Sequence, residues 1–116
     1  MAFEIIRSRN SVKDLDRIFD HLVESYIRLG EAPAEAVNIA ANRLLTIRAD
    51  MNALALAPHQ GTLLDHMATG LRSVTKHKAI FYFDVDDAAK TVSILAIFFS
   101  GQDHHRHMSQ RLGKMR

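Results

Sequence analysis

Three histidines gather near the C-terminus, His104, His105 and His107, with Asp103 directly before them. Imidazole titrates near neutrality, so such a cluster offers a general acid or base. On a helix, Asp103 and His107 stand four apart and His104 and His107 three apart, which puts all three on one face. The same spacing suits a divalent metal, and equally a polar tail helix in solvent or under a partner. A second group of cations, Arg72, Lys76 and Lys78, surrounds His77. Cations so grouped can meet developing phosphoryl charge or an acidic surface. Other candidates have simpler explanations. Tyr82 lies in an apolar run and reads as a packed ring. Asp84, Asp86 and Asp87 read as a turn, because the glycine and spacing of a calcium loop are missing. Met51, Met67, Met108 and Met115 read as core and interface filler.

The elements that must position these groups belong to one domain of 116 residues. A hydrophobic fraction of 47% with 24% charged residues excludes intrinsic disorder. The absence of cysteine excludes a disulfide framework and a cysteine zinc site, and fits a reducing cytoplasm. The N-terminus, with Glu4 and Arg7 close to Met1, lacks the apolar run of a signal peptide. The longest apolar stretches are too short to span a bilayer, so no membrane association is expected. Charge is uneven. Residues 1–57 carry a net −1 and residues 58–116 a net +3, with six of the seven histidines in the second half. A basic half suits nucleic acid or an acidic protein surface, or a solvated face.

Phe3 to Ser8 reads as a first strand. Ser11, followed by Asp14 three residues on, reads as a helix start. The recurrence of Val12, Leu15, Ile18, Phe19, Leu22, Val23, Tyr26 and Ile27 gives an amphipathic helix ending at Leu29-Gly30. Pro33 opens a second helix to about Leu56, with Val37, Ala40, Ala41, Leu44, Leu45, Arg48, Met51 and Leu54 as its inner stripe. A short link makes the two an antiparallel hairpin. Residues 58–70 read as one irregular connection, after which the period shortens. Leu71–Thr75, Ala79–Val85 and Thr91–Ser100 read as an antiparallel meander, turning at Lys76-His77 and at Asp86–Lys90. Gly101 breaks the last strand, and Asp103–Leu112 forms a short basic helix. The fold class is therefore α+β, in the order β-α-α-β-β-β, a helix hairpin on a small twisted antiparallel sheet with a C-terminal helix.

That order and length resemble the RelE/ParE toxins, and particular residues carry the match. Asp14-Leu15-Asp16-Arg17-Ile18-Phe19-Asp20-His21-Leu22 resembles the opening of the ParE first helix. Gly70-Leu71-Arg72-Ser73 followed by Ile80-Phe81-Tyr82 is similar to the family's G-L-R segment and tyrosine-containing strand. Val92–Phe99, then Gly101-Gln102-Asp103, is similar to its terminal strand.

The resemblance implies the toxin of a type II toxin–antitoxin operon, a system known for plasmid stabilisation. A cognate ParD-like antitoxin, with a ribbon-helix-helix DNA-binding half and a wrapping tail, would neutralise it in a hetero-oligomer. ParE-like members are non-enzymatic poisons of DNA gyrase, and RelE-like members cleave mRNA on the ribosome. Arg72 matches the arginine of the family's L-R strand. The second arginine of RelE-like members is replaced by Gln102-Asp103, and no tyrosine lies beyond Tyr82. These departures favour the ParE-like, non-enzymatic reading, with no cofactor. Its target-binding surface is then expected at Arg72, Lys76, Lys78, Arg106 and Arg111. The RelE-like alternative would use Arg72, His104 and His107 as catalytic groups.

Overall fold

The computed structural model describes residues 2–99 and 103–115. The expected break at Gly101, Gln102 at the replaced arginine and the end of the last strand at Ser100 lie outside them. The order is β1 (Glu4–Arg7), α1 (Arg9–Arg28), α2 (Pro33–Ala53), β2 (Thr62–Leu63), β3 (Arg72–Lys76), β4 (Ala79–Asp86), β5 (Thr91–Phe99) and α3 (His104–Met115). The strands form one sheet in the order β1-β5-β4-β3-β2. Its four junctions are antiparallel except β1–β5, which is parallel. The sheet is thus mixed rather than purely antiparallel, and the connection read as irregular contributes the short edge strand β2. Among the described residues no helix is long and apolar enough to cross a membrane.

The helix starts earlier than its Ser11 signal suggests. Ser8 is the cap: its backbone is extended, its Oγ accepts the Ser11 amide at 3.0 Å, and it donates to the Leu95 carbonyl at 3.3 Å. Ser11 sits inside α1, buried, and donates to the Ser8 carbonyl. The C-terminus is as expected. Gly30 has φ +105°, and amides at 30 and 31 close onto Ile27 and Tyr26 carbonyls.

α2 is rotated from its expected stripe. Ala36, Ala40, Ile47, Met51 and Leu54 are buried, while Val37, Leu45 and Arg48 are exposed. Small Ala36 and Ala40 at one end of this line and large Ile47, Met51 and Leu54 at the other make up the buried face. Leu15, Ile18 and Leu22 of α1 complete one core against Phe81 and Phe83 of β4 and Val92, Ile94 and Ile97 of β5.

β5 carries one extra residue. Phe83 pairs with Ile94 but Tyr82 pairs with Ala96, so Leu95 is a bulge. The bulge shifts the alternation by one. Val92, Ile94 and then Ile97 face the helix hairpin, while Ala96 and Phe98 face away. The opposite face, with Ile80 and Tyr82, is a second core. Leu64, Leu71 and Met108 cover it, so the connection and α3 share the task. A sheet apolar on both faces needs cover on both.

The β3–β4 turn is His77-Lys78, one residue later than expected, with φ of 48° and 68°. Two left-handed residues match the twist of a two-residue hairpin, at some conformational cost without glycine. His77 Nδ1 lies 2.6 Å from Asp50 Oδ2 at the end of α2, which ties the turn to the helix layer.

Gly61 has φ +82°, and a Cβ there would lie 2.2 Å from the Ser73 carbonyl oxygen across the β2–β3 edge. Gly61→Ala should therefore destabilise the fold by about 2 kcal/mol or more. Gly30→Ala, with open space around it, should cost about 1 kcal/mol. Urea denaturation of both variants checks the order.

Candidate functional site

β1 ends opposite Ile94, and β5 runs on to Phe99. From that point the edge of β5 would be bare backbone, and α1 closes it with a side chain. Asp14, buried to 3% exposure, accepts the Ile97 amide at 2.9 Å through Oδ2. Arg111 of α3 donates to both carboxylate oxygens, at 2.8 and 3.0 Å, and reaches the Leu95 carbonyl at 3.5 Å. The bidentate geometry satisfies a buried carboxylate. Sequence reasoning missed this role and read Asp14 only as part of a helix start three residues after Ser11. The signal was there: Ser11, Asp14, Leu15, Ile18 and Leu22 share one helical face, and a carboxylate on a buried stripe requires a partner.

The second feature is a hydroxyl between imidazoles. Tyr82 Oη lies 2.7 Å from His104 Nδ1 and 3.3 Å from His105 Nδ1, under the first turn of α3. One hydroxyl hydrogen serves one acceptor, so Tyr82 cannot donate to both rings: one imidazole accepts its hydrogen and the other donates to its oxygen. Burial holds the phenol above its ordinary pKa. Burial and then the neighbouring His105 hold His104 below its own, with Asp103 pulling weakly the other way. The amino end of a helix further disfavours imidazolium. His107 stacks on Phe98 at 6.1 Å, and Arg111 lies 5.3 Å over the same ring. Among the described residues, no group of three or more His, Cys, Asp or Glu is arranged to hold a metal.

The groups singled out from sequence are divided by the sheet. Arg72 pairs with Phe83 in register and shares its face, on the helix-hairpin side, where its guanidinium donates to the His59 carbonyl at 3.1 Å. Lys76 shares the face of Arg72 and Val74, and Lys78 is exposed in the turn. His104 and His107 belong with Tyr82 and Phe98 on the opposite face. Arg72, His104 and His107 are therefore not brought together. Arg106 is exposed and pairs with Asp103 at 3.4 Å. Arg111 is engaged by Asp14, so it positions α3 rather than offering a free cation. Asp84 has its carboxyl pKa raised by burial and then by Asp86, and Asp86 Oδ1 accepts the Ala89 amide, as a turn requires.

The architecture is that of a helix hairpin and a terminal helix enclosing a small mixed sheet. No family model and no curated protein sequence matches the chain. Solved structures do. A chain of the chromosomal ParDE TA system from P. aeruginosa aligns with TM-score 0.64 at 23% identity, over 85% of this chain and 97% of that one. A chain of the toxin–antitoxin complex RelBE2 from Mycobacterium tuberculosis aligns with TM-score 0.57 at 17% identity, over 85% and 99%. The chain has the RelE/ParE fold.

Two outcomes follow from the α3 contacts. Asp14→Ala and Arg111→Ala should each cost about 3 kcal/mol, since each leaves a buried partner unpaired. The double variant should show coupling of at least about 1 kcal/mol in a denaturation cycle. His104 has a depressed folded-state pKa, so its neutral form stabilises the docked helix fully above the ordinary value of about 6.5 and loses that contribution as pH falls below it. Protection factors of the α3 amides against hydrogen exchange should fall on acidification below about 6.5, and His104→Gln should flatten that dependence.

Proposed function

We propose that the chain is the toxin of a type II toxin–antitoxin pair, a ParE-like poison of DNA gyrase acting in the cytoplasm. The observation carrying this reading is the RelE/ParE fold along 85% of the chain, shared with a chain of a ParDE system. The gyrase target is favoured over mRNA cleavage because, among the described residues, the proposed catalytic groups do not come together. Arg72 lies on one side of the sheet and His104 with His107 on the other. Tyr82, in contact with His104, is fully buried. The proposed gyrase contact comprises Arg72, Lys76 and Lys78 along the β3–β4 hairpin and Arg106 on α3, while Arg111 acts through Asp14.

A cognate ParD-like antitoxin of the ribbon-helix-helix type is the proposed partner, forming a hetero-oligomer. Its tail has an apolar seat on the helix hairpin. Phe19, Ala41, Leu44, Leu45 and Arg48 line a shallow groove of about 240 Å³, and Leu45 is 63% exposed. An exposed apolar groove between helices fits an amphipathic segment.

Induction of the chain alone should arrest growth with altered supercoiling and DNA breaks, and with intact ribosome-bound mRNA. Cleavage of mRNA in the ribosomal A site without DNA breaks would replace this reading with the RelE-like one. Leu45→Asp should leave arrest unchanged and weaken rescue by the co-expressed antitoxin at least tenfold. Retained arrest in an Arg72→Ala, Lys78→Ala, Arg106→Ala triple variant would remove the proposed contact surface.

A further inference from the structure

A cleft of about 560 Å³ lies between α1 and α3, above the end of β5. It is separate from the apolar groove on α2 and from the β3–β4 hairpin. Its size falls within the range of small-molecule sites, roughly 300–1,000 Å³. Its chemistry is one-sided. Asn10, Arg17 and His21 line it from α1, and His107, Gln110 and Lys114 line it from α3.

The side chains of Asn10, His21, Gln110 and Lys114 have no hydrogen-bond or ion-pair partner among the described residues. Arg17 is 72% exposed at the side chain and only 3.7 Å from Asp14 Oδ1, a contact weaker than the bidentate one Arg111 makes. The one carboxylate lining the cleft among the described residues, Asp14, is 4% exposed at its side chain and already bound by Arg111. It therefore does not repel an incoming anion. Two cations, two imidazoles and two amides from facing helices surround one void.

We propose that this cleft binds a phosphate-bearing ligand, with Arg17 and Lys114 clamping the charge from opposite walls. His21, His107, Asn10 and Gln110 supply further hydrogen-bond donors. A phosphoryl group presents three oxygens in different directions, and donors converging from two helices match that better than they match a planar carboxylate. The phosphate belongs either to a free nucleotide or to a nucleic-acid backbone. The site does not depend on the toxin reading, and binding is measured separately from growth arrest.

The test is a proton NMR titration of the imidazole resonances with three probes: inorganic pyrophosphate, a single-stranded DNA octamer and an octaglutamate peptide. Pyrophosphate should shift His21 and His107 while leaving His66 in place. Lys114→Glu and Arg17→Glu should each raise its Kd at least tenfold. Arg28→Glu, an equal charge change at the far end of α1, should leave it within about twofold, with circular dichroism reporting the fold of all three. An octamer bound more than tenfold tighter than pyrophosphate assigns the phosphate to a nucleic-acid backbone, and comparable binding assigns it to a free ligand. Neither phosphate probe shifting His21 and His107, equal binding by the charge-reversed variants, or tighter binding of octaglutamate would overturn the proposal.

Discussion

The carboxylate of Asp14 holds together three parts of the chain, the edge of β5, α1 and α3. It receives the Ile97 amide from the sheet edge and both donors of Arg111 from α3, from its own position on α1. β1 covers β5 only as far as Ile94, because the chain must turn there into α1 at Ser8. A strand edge left bare in a core-facing position would strand polar backbone groups and invite pairing with other chains. Ser8 and Asp14 take over the edge where β1 leaves it. The pair with Arg111 then makes the terminal helix part of the same closure. A buried ion pair of this kind contributes specificity of arrangement more than net stability.

The bulge at Leu95 decides which side chains meet. Before it, the even residues of β5 face the helix hairpin; after it, the odd ones do. The shift turns Phe98 toward His107 and leaves Ile97 with the helices. It also directs the Leu95 carbonyl to Ser8 and Arg111. The histidine cluster is consequently built into the packing of α3 on the second face. The basic residues of β3 stand behind the sheet from it, so the cations and imidazoles that a nucleolytic reading needs together are separated by the sheet itself. Three surfaces with different chemistry result: an apolar groove on the helix hairpin, a basic hairpin tip and a polar cleft beside α3.

Much of this was legible in the residues. Periodicity and end signals located α1, the start of α2 and four of the strands, because those elements are specified locally by apolar spacing, Pro33 and Gly30. The terminal helix and its histidine-bearing face were legible for the same reason. The orientation of α2 was not. Its apolar residues are spread around the helix rather than gathered on one stripe, so periodicity allows several inner faces, and the packed fold buries the one with Ala36, Ala40 and Ile47. The two residues of β2 have no pattern of their own and are strand only because β3 lies beside them.

The sequence by itself determined the order of every element but β2, the α+β class and the types of residue available for chemistry, since these follow from short-range spacing and from composition. Only the tertiary structure decided which of those residues act together. Asp14 and Arg111 are 97 positions apart and Tyr82 and His104 are 22 apart, distances at which no spacing rule applies. Their pairing depends on where β1 stops and where β5 bulges, and both are properties of strands meeting in space.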